Sequence, residues 1–536
     1  MHRRSGPTAA IVGAGVSGLT QAHALLRCGY EVVVFERTGE LGGVWSQFVY
    51  PGVSLQNSHR EYRHPDFEWP FPHAFHPSGE ETKRYWECFA RHFGIHVRLR
   101  TEVVAAAIEA DGGWRVTARD VGGDGGRETT ERFDFLVVAT GMYAQRALGR
   151  GFAVPEHFPG AVLTERDIVS PEQFRDKTVV VSGFGKSALD ALRAARNGGA
   201  RRVVHLFRTP RWPLPSHLGW LDISTIVFWR FTSTFFPGWH HPTRAGRALH
   251  VWAPWLVWLF WALLRAVLLA AAWWKAGWRA WTPAGARRLR AITPPHALAL
   301  DLRSSSAIAT DAYFRDIAQG RIEPVRGELR ALAADGAVVV AVAVAAGGEN
   351  DKGNELRLGP ADVVVLAWGA GAVAVPYLPP ALRRALEAEG GGENGGEAQL
   401  FRHLVHPDYP TLGFAGFNHC WHHVPACAAG AAWLCAYFAG RIVLPPREQT
   451  RRDAERILRW KLTHSTYEPA APFGLSMHFQ QYMDVLMQDL GLPVFRKRGP
   501  CAAFRPYGAG DYAGVVDAVA EALRGPGVYN PCSAAF

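Results

Sequence analysis

The chain has 536 residues, 48% apolar and 20% charged, so it is a globular sequence too long for one small core, and two or more units built on large sheets are expected. A net charge of +10 admits acidic lipid, nucleic acid or phosphorylated ligands as partners; no nucleic-acid motif accompanies it, which favours phosphorylated cofactors and a membrane surface. Seven cysteines, odd in number and without CxxC spacing, argue against a disulfide framework or a redox dithiol and for a reducing compartment.

The N-terminus, MHRRSGPTAA, runs into the first strand with no apolar h-region, so no secretory signal and a cytoplasmic location are expected. Residues 9–36, AAIVGAGVSGLTQAHALLRCGYEVVVFE, have the pattern of strand, glycine turn, helix and second strand. Gly13 permits a tight turn, Gly15 lets the backbone approach a pyrophosphate, and Gly18 lets the helix lie close on the sheet. The phosphates would then sit on unpaired N–H groups at a helix N-terminus. Glu36 ends the second strand where a carboxylate accepts both ribose hydroxyls of an adenosine, which favours FAD or NAD and repels a 2′-phosphate. A turn without ligand is the plainer reading of GxGxxG, and the strand and helix on either side weigh against it.

GELGGVW follows, where Gly42 and Gly43 give the backbone more room against a large ligand, and an irregular aromatic loop then runs through LQNS to DFEWPFP. A helix is expected over 82–93, a strand over 97–104, and a hairpin after it with a flexible tip at 122–126. FDFLVVATGMY brings an apolar strand over 135–138 into Ala139, Thr140 and Gly141, small enough for the chain to pass close under a dinucleotide. KTVVVSGFGKSALDALRAA then repeats the opening arrangement, with Gly183 and Gly185 in the turn and Ala188 in the helix. Two such units make two dinucleotides the simplest explanation. The next strand ends in Arg208 and Arg211 in place of an acid. A guanidinium takes a 2′-phosphate bidentately, so this second site should prefer NADPH; a plain surface arginine is the competing reading, more so for Arg211 than for Arg208.

Residues 209–311 hold twelve of the twenty tryptophans. At their centre, 251–274 (VWAPWLVWLFWALLRAVLLAAAWW) is long enough to cross a bilayer, for which about 20 apolar residues suffice. Arg265 in mid-run costs roughly 2.5 to 3.5 kcal/mol on insertion scales. The strands at 203–207 and 363–366 should share a sheet, so both ends of the insertion emerge on one side, which argues against a single pass and for an in-plane helix or re-entrant hairpin. Arg244, Arg247, Arg287, Arg288 and Arg290 make both flanks basic, as docking on anionic lipid requires. A helical lid on a substrate channel or a homodimer contact is the alternative. Further on, residues 347–355 and 389–397 are low-complexity loop tips. His419, Cys420, His422, His423 and Cys427 fit no zinc spacing, so no metal site is expected. Residues 449–536 read as helical cover.

With these residues in view, the chain resembles the flavin-containing monooxygenases, including the plant-like branch. The likeness rests on GAGVSG with Glu36, GGVW, LQNS before DFEWP, ATGMY, GFGKSALD, and LFRHLVHPDYPTLGFAGFN followed by AAWLCAYFAGRIVLP, in that order over most of the length. It implies an α/β fold of two Rossmann-like dinucleotide-binding lobes, the second inserted in the first. Residues 1–168 and 376–536 would then form the FAD lobe with a C-terminal helical cover, 169–208 and 312–375 the NADPH lobe, and 209–311 the Trp-rich helical insertion. Gly43, Trp45, Thr140 and Gly141 would join the first turn around FAD, and Ser187 the second around NADPH, while a small-residue helix over 426–440 packs on FAD. The family chemistry implied is hydride reduction of the flavin, addition of O2 to give a C4a-hydroperoxide, and attack on its distal oxygen by N or S of a small lipophilic substrate. Asn57 matches the asparagine that helps protect that intermediate; from the residue alone it is equally a loop amide capping backbone groups. Two departures stand out: FPGAVLT keeps Phe158 and Gly160 of FxGxxxH but has Thr164 for histidine, and LAWGAG has Trp368 for threonine. The alternatives are a Baeyer–Villiger ketone monooxygenase, or a flavoprotein that these departures have left as a binding or membrane-interaction module.

Overall fold

The computed structural model describes residues 6–122, 126–141, 143, 154–241, 243–301, 307–342, 355–369, 375–388, 400–464, 474–476 and 478–525. The centre of the hairpin tip, Met142, most of both low-complexity loops and the tail from 526 lie outside them.

Thr8–Val12 pairs in parallel with Glu31–Phe35 on one side and Phe135–Val138 on the other; Val97–Arg98 and Leu412–Phe414 complete a five-stranded sheet. These strands are short, mostly apolar runs, as expected where a parallel sheet is covered on both faces. A second five-stranded parallel sheet runs in the order Glu323–Arg326, Arg202–Phe207, Thr178–Ser182, Val363–Leu366, Ala161–Leu163. Because Ala161–Leu163 already belongs to it, the chain crosses from one sheet to the other between 138 and 161, ahead of the boundary drawn at 168. Each sheet has a three-stranded antiparallel companion at the equivalent place in the chain. Thr101–Ile108, Trp114–Asp120 and Glu128–Phe133 precede Phe135–Val138, while Glu328–Leu332, Val338–Ala341 and Glu355–Leu358 precede Val363–Leu366.

The strand expected over 97–104 is in fact two. Arg100, with φ 51°, breaks it, so Val97–Arg98 stays in the parallel sheet and Thr101–Ile108 joins the antiparallel one. The helix expected from 82 begins at Gly79, because Ser78 and Glu81 form a reciprocal capping box.

Arg202–Phe207 and Val363–Leu366 do share a sheet, with Thr178–Ser182 between them, so residues 209–311 leave and rejoin the same unit. The long helix of that excursion, Pro254–Ala276, buries Val257, Trp261, Leu268 and Ala276, a stripe at helical spacing. The first three join the core beneath the first sheet and Ala276 joins that of the second, so the helix lies along the protein, against both. Its other face exposes Trp255, Trp258, Leu259, Leu263, Val267 and Trp274.

Downstream, His423–Phe438, a little earlier than the 426–440 expected, is buried around most of its circumference. Its small residues let it lie on Val16–Arg27, with Cys427 Sγ 3.4 Å from Ser17 Oγ. The C-terminal cover is pinned by two buried ion pairs: Arg230 meets both Asp484 oxygens at 2.6 Å, and Arg402 meets Asp489 at 2.8 and 3.1 Å.

Candidate functional site

At the first glycine turn, each glycine answers a different need. Gly13 has φ 112°, its N–H donates to the Phe35 carbonyl at 2.8 Å, and a Cβ there would stand 2.4 Å from the Ala139 oxygen. A Cβ on Gly18 would stand 1.9 Å from the Gly13 oxygen, so the helix Val16–Arg27 lies hard against the turn. Gly15 is unlike both. Its φ of −77° suits any residue, and a Cβ would meet only the Gly43 Cα, at 3.6 Å. Neither conformation nor internal packing requires glycine at 15, so what its missing side chain preserves is the space in front of it.

Gly42 and Gly43 fold onto this turn: the Gly42 N–H donates to the Ala14 oxygen at 2.9 Å, and a Cβ on Gly43 would come within 2.9 Å of the Gly15 Cα. Trp45, in the short helix Val44–Gln47 that follows, donates its indole N–H to the Tyr62 hydroxyl at 2.9 Å. The helix Val16–Arg27 starts without a side-chain cap, as a phosphate site needs. Glu36 is buried, and one of its oxygens accepts the Ala14 N–H at 2.9 Å while the other accepts the Thr38 N–H and hydroxyl at 3.0 and 2.8 Å. These bonds orient the carboxylate and leave acceptor capacity for a sugar hydroxyl. Thr140 lies beside the Tyr377 hydroxyl, and Gly141, with φ 77°, borders open space. The residues present therefore fit a dinucleotide.

The second turn reproduces the first. Gly183 has φ 130°, donates its N–H to the Leu206 oxygen at 2.9 Å, and would place a Cβ 2.2 Å from the Ala367 oxygen. Ala188 is fully buried where Gly18 stood, and the helix Lys186–Asn197 again starts without a side-chain cap. Gly185 has φ −97° and no atom within 4 Å of an added Cβ. Trp368 occupies the position equivalent to Thr140 and donates its indole N–H to Ser182 Oγ at 2.9 Å. Arg208 is exposed at its strand's end, whereas Arg211 is buried and paired with Asp301 at 3.1 Å.

Sequence reasoning missed a cluster here. Lys186 opens the helix and pairs with Asp190, which also accepts the Tyr50 hydroxyl at 2.8 Å and meets Arg193 at 3.2 Å, with Ser187 beside Tyr50. Burial draws the Lys186 ammonium below its ordinary pKa, with Asp190 opposing the shift. The signal was the basic residue directly after Gly185, whose partner lies one helical turn on.

The Asn57 side chain donates to the Trp421 carbonyl, and the Asn57 carbonyl faces His76 Nδ1 at 3.0 Å. Around the turn that carries Trp421, the Tyr143 hydroxyl lies 3.3 Å from the His419 ring nitrogens, and His423 lies 3.7 Å from Cys427 Sγ. Burial lowers His419 to about 4 and His423 to about 3, and raises Cys427 to about 12. All three are therefore uncharged at neutral pH. Thr164, the departure from histidine, caps the turn Glu165–Asp167, sending its N–H and hydroxyl to one Asp167 oxygen at 2.8 and 2.7 Å. Gly160 is required by space, since a Cβ would stand 2.5 Å from the Ala361 oxygen.

Two parallel sheets, each opening through a glycine turn onto an uncapped helix, define a two-dinucleotide flavoprotein fold. Residues 7–228 match the model of the family described as flavin-binding monooxygenase-like. The probable flavin-containing monooxygenase 1 of Arabidopsis thaliana is 26% identical over 94% of this chain and 95% of its own. Two solved structures share the fold. The S-allyl-L-cysteine S-oxygenase of Allium sativum is 19% identical with a TM-score of 0.57, covering 91% of this chain and 89% of its own. The polycyclic ketone monooxygenase of Thermothelomyces thermophila is 15% identical with a TM-score of 0.62, covering 91% and 88%. The chain is thus similar over most of its length to a plant flavin-containing monooxygenase, and over residues 7–228 to the flavin-binding monooxygenase-like family, and its two glycine turns fit FAD and NADPH.

Proposed function

We propose that this monooxygenase oxygenates a nucleophilic nitrogen or sulfur of a small lipophilic substrate. FAD, reduced by NADPH, supplies the activated oxygen. In this reading Gly13, Gly15, Gly18, Gly43 and Glu36 hold FAD together with Trp45, Thr140 and Gly141, while Gly183, Gly185, Ser187 and Arg208 receive NADPH. Asn57 offers an uncharged amide beside the flavin. What supports the choice of substrate is that burial disfavours charge on His419, His423 and Cys427, around the turn whose Trp421 carbonyl accepts from the Asn57 side chain. None of these three side chains is a cation that would stabilise an anionic oxygen donor, which supports delivery of electrophilic oxygen to a lone pair over attack on a carbonyl. Holoenzyme assayed in parallel with a dialkyl sulfide, a tertiary amine and a cyclic ketone tests this. NADPH oxidation coupled to the ketone alone would overturn it in favour of a Baeyer–Villiger reaction, and FAD that NADPH does not bleach would leave a binding module.

For the excursion we infer in-plane contact with an anionic membrane surface on the cytoplasmic side. Supporting this are seven exposed tryptophans, Trp220, Trp252, Trp255, Trp258, Trp274, Trp278 and Trp281, and the exposed Arg244, Arg247, Arg287 and Arg290. Arg288 is better left out of the lipid-facing set, because its guanidinium turns toward Ala318 and Gly320. Sedimentation with anionic vesicles, compared between the parent and an Arg287→Gln/Arg290→Gln variant, is the test. Equal pelleting would sink the lipid role of the arginines, and a dimer in place of vesicle binding would reassign the face to a second copy.

A further inference from the structure

The segment between Ser54 and Ser78 is a closed excursion. Its base is pinned by the Leu55 N–H on the Pro77 oxygen at 2.8 Å and the His59 N–H on the Phe75 oxygen at 2.9 Å. Within it, neighbouring residues reach different parts of the molecule. Gln56 Oε1 accepts the Ile308 N–H at 2.8 Å, and the Asn57 side chain reaches Trp421. Directly across the base sits His76, with Nδ1 3.0 Å from the Asn57 carbonyl and Nε2 2.8 Å from Asp222 Oδ2.

Both of those partners are acceptors only. A neutral imidazole has one N–H and satisfies one of them; only the imidazolium donates to both. Asp222 lies in the Trp-rich insertion, in the hairpin of His217–Leu218 and Leu221–Asp222, so one ring bridges the Asn57 backbone and the insertion.

We propose that His76, as an imidazolium clasped between the Asn57 carbonyl and the Asp222 carboxylate, is a positioning residue that fixes Asn57 and ties its loop to the Trp-rich insertion. The consequence for catalysis rests on the reading of Asn57 given above; the clasp itself does not. The groups facing His76 are Asp222, the Glu61 carboxylate, and His217, which lies 3.7 Å from the same Asp222 oxygen. Burial works against the charge on His76, but Asp222, the Asn57 carbonyl and Glu61 together raise its pKa above the ordinary histidine value. The sign follows: the clasp is intact below the unfolded-state value and is lost as pH rises through the raised folded value.

The test is a double-mutant cycle with His76→Gln and Asp222→Asn, read by thermal melting of the holoenzyme at pH 6 and pH 9. The expected result is a coupling of about 2 °C or more at pH 6 that falls clearly at pH 9, where the neutral ring keeps at most one of its two hydrogen bonds. No coupling at pH 6, or equal coupling at both, would overturn the clasp. If Asp222→Asn does not fold, the ring titration of His76, assigned in 15N-histidine spectra by its loss in His76→Gln, decides. An ordinary or lowered pKa there refutes the proposal. The positioning role is read in hydrogen peroxide released per NADPH oxidised, expected to rise about tenfold in His76→Gln, the factor for one charge-assisted hydrogen bond, with KM for NADPH unchanged. An unchanged ratio removes the positioning role. Asn57→Ala separates the two readings: if it leaves the ratio unchanged while the coupling persists, the assignment of Asn57 fails and the clasp stands.

Discussion

Replacing Gly185 with alanine separates ligand contact from folding. At φ −97° and ψ −174° the backbone accepts alanine, and the new Cβ meets no atom within 4 Å. Reduced freedom of the unfolded chain stabilises by about 0.4–1 kcal/mol. Alanine in place of glycine at an N-cap offsets a comparable amount, so the net change should stay below about 1 kcal/mol. The methyl group instead occupies the space through which a pyrophosphate approaches. An overpacked contact costs about 1–3 kcal/mol, which at 1.4 kcal/mol per decade weakens NADPH by roughly 5- to 150-fold. Gly18→Ala is the contrasting control, because its Cβ would stand 1.9 Å from the Gly13 oxygen and the protein itself must yield. The assays are thermal melting and the NADPH dependence of flavin reduction by stopped flow. Gly185→Ala should melt with the parent, keep its FAD and bind NADPH weakly, whereas Gly18→Ala should melt early and lose FAD. A Gly185→Ala protein with parental stability and parental NADPH dependence would refute the argument that an empty Cβ position marks a ligand.

The remaining predictions follow the same division. Gly15→Asp sets a carboxylate where FAD phosphates approach, so the purified variant should be colourless, and a yellow, FAD-replete protein would contradict the first cradle. Arg208→Ala should narrow the preference for NADPH over NADH by about tenfold or more, the worth of a charged hydrogen bond; an unaltered ratio would free Arg208 of the 2′-phosphate. Asp484→Ala leaves the Arg230 guanidinium buried without its carboxylate, which costs about 3–5 kcal/mol and should shift the denaturation midpoint accordingly. A midpoint within error of the parent would show that the pair is not holding the C-terminal cover.

Both cradles were legible because what they demand is local. A tight turn and an open approach each need glycine and a close helix needs a small residue, all within six positions, and the sequence repeats the demand with Gly13, Gly15 and Gly18 and again with Gly183, Gly185 and Ala188. The structure refines this by separating the glycines fixed by the protein, Gly13, Gly18 and Gly183, from Gly15 and Gly185, which the protein does not require. Features settled by a distant partner were not readable. Nothing in LQNS indicates that His76 and Asp222 stand behind Asn57, nor does GFGKSALD announce that Tyr50 completes the Lys186–Asp190 pair. The break at Arg100 was hidden for a related reason: the residues on either side suit strands equally well, and only their pairing with two different sheets decides it.

The long helix Pro254–Ala276 shows where the hydropathy pattern stops being informative. An amphipathic helix declares its buried face by contrast, and here leucine, tryptophan and alanine occupy both faces, so length and composition fit a membrane span, a lid and a surface helix alike. Direction comes instead from what the neighbours offer. Val257, Trp261, Leu268 and Ala276 recur at helical spacing against the two cores, and the Trp261 indole N–H donates to the Phe235 carbonyl at 3.0 Å. Arg265, the one mid-helix charge, sets its guanidinium 5.7 Å from the ring of Trp212 at the helix's protein side, so the charge that counted against burial in lipid has an aromatic partner in the fold. A helix held along one stripe by two cores does not stand across a bilayer in this fold, and its opposite stripe, with Trp255, Trp258, Leu259, Leu263, Val267 and Trp274, is exposed. That geometry restricts any lipid contact to the interfacial depth at which tryptophan is most favourable.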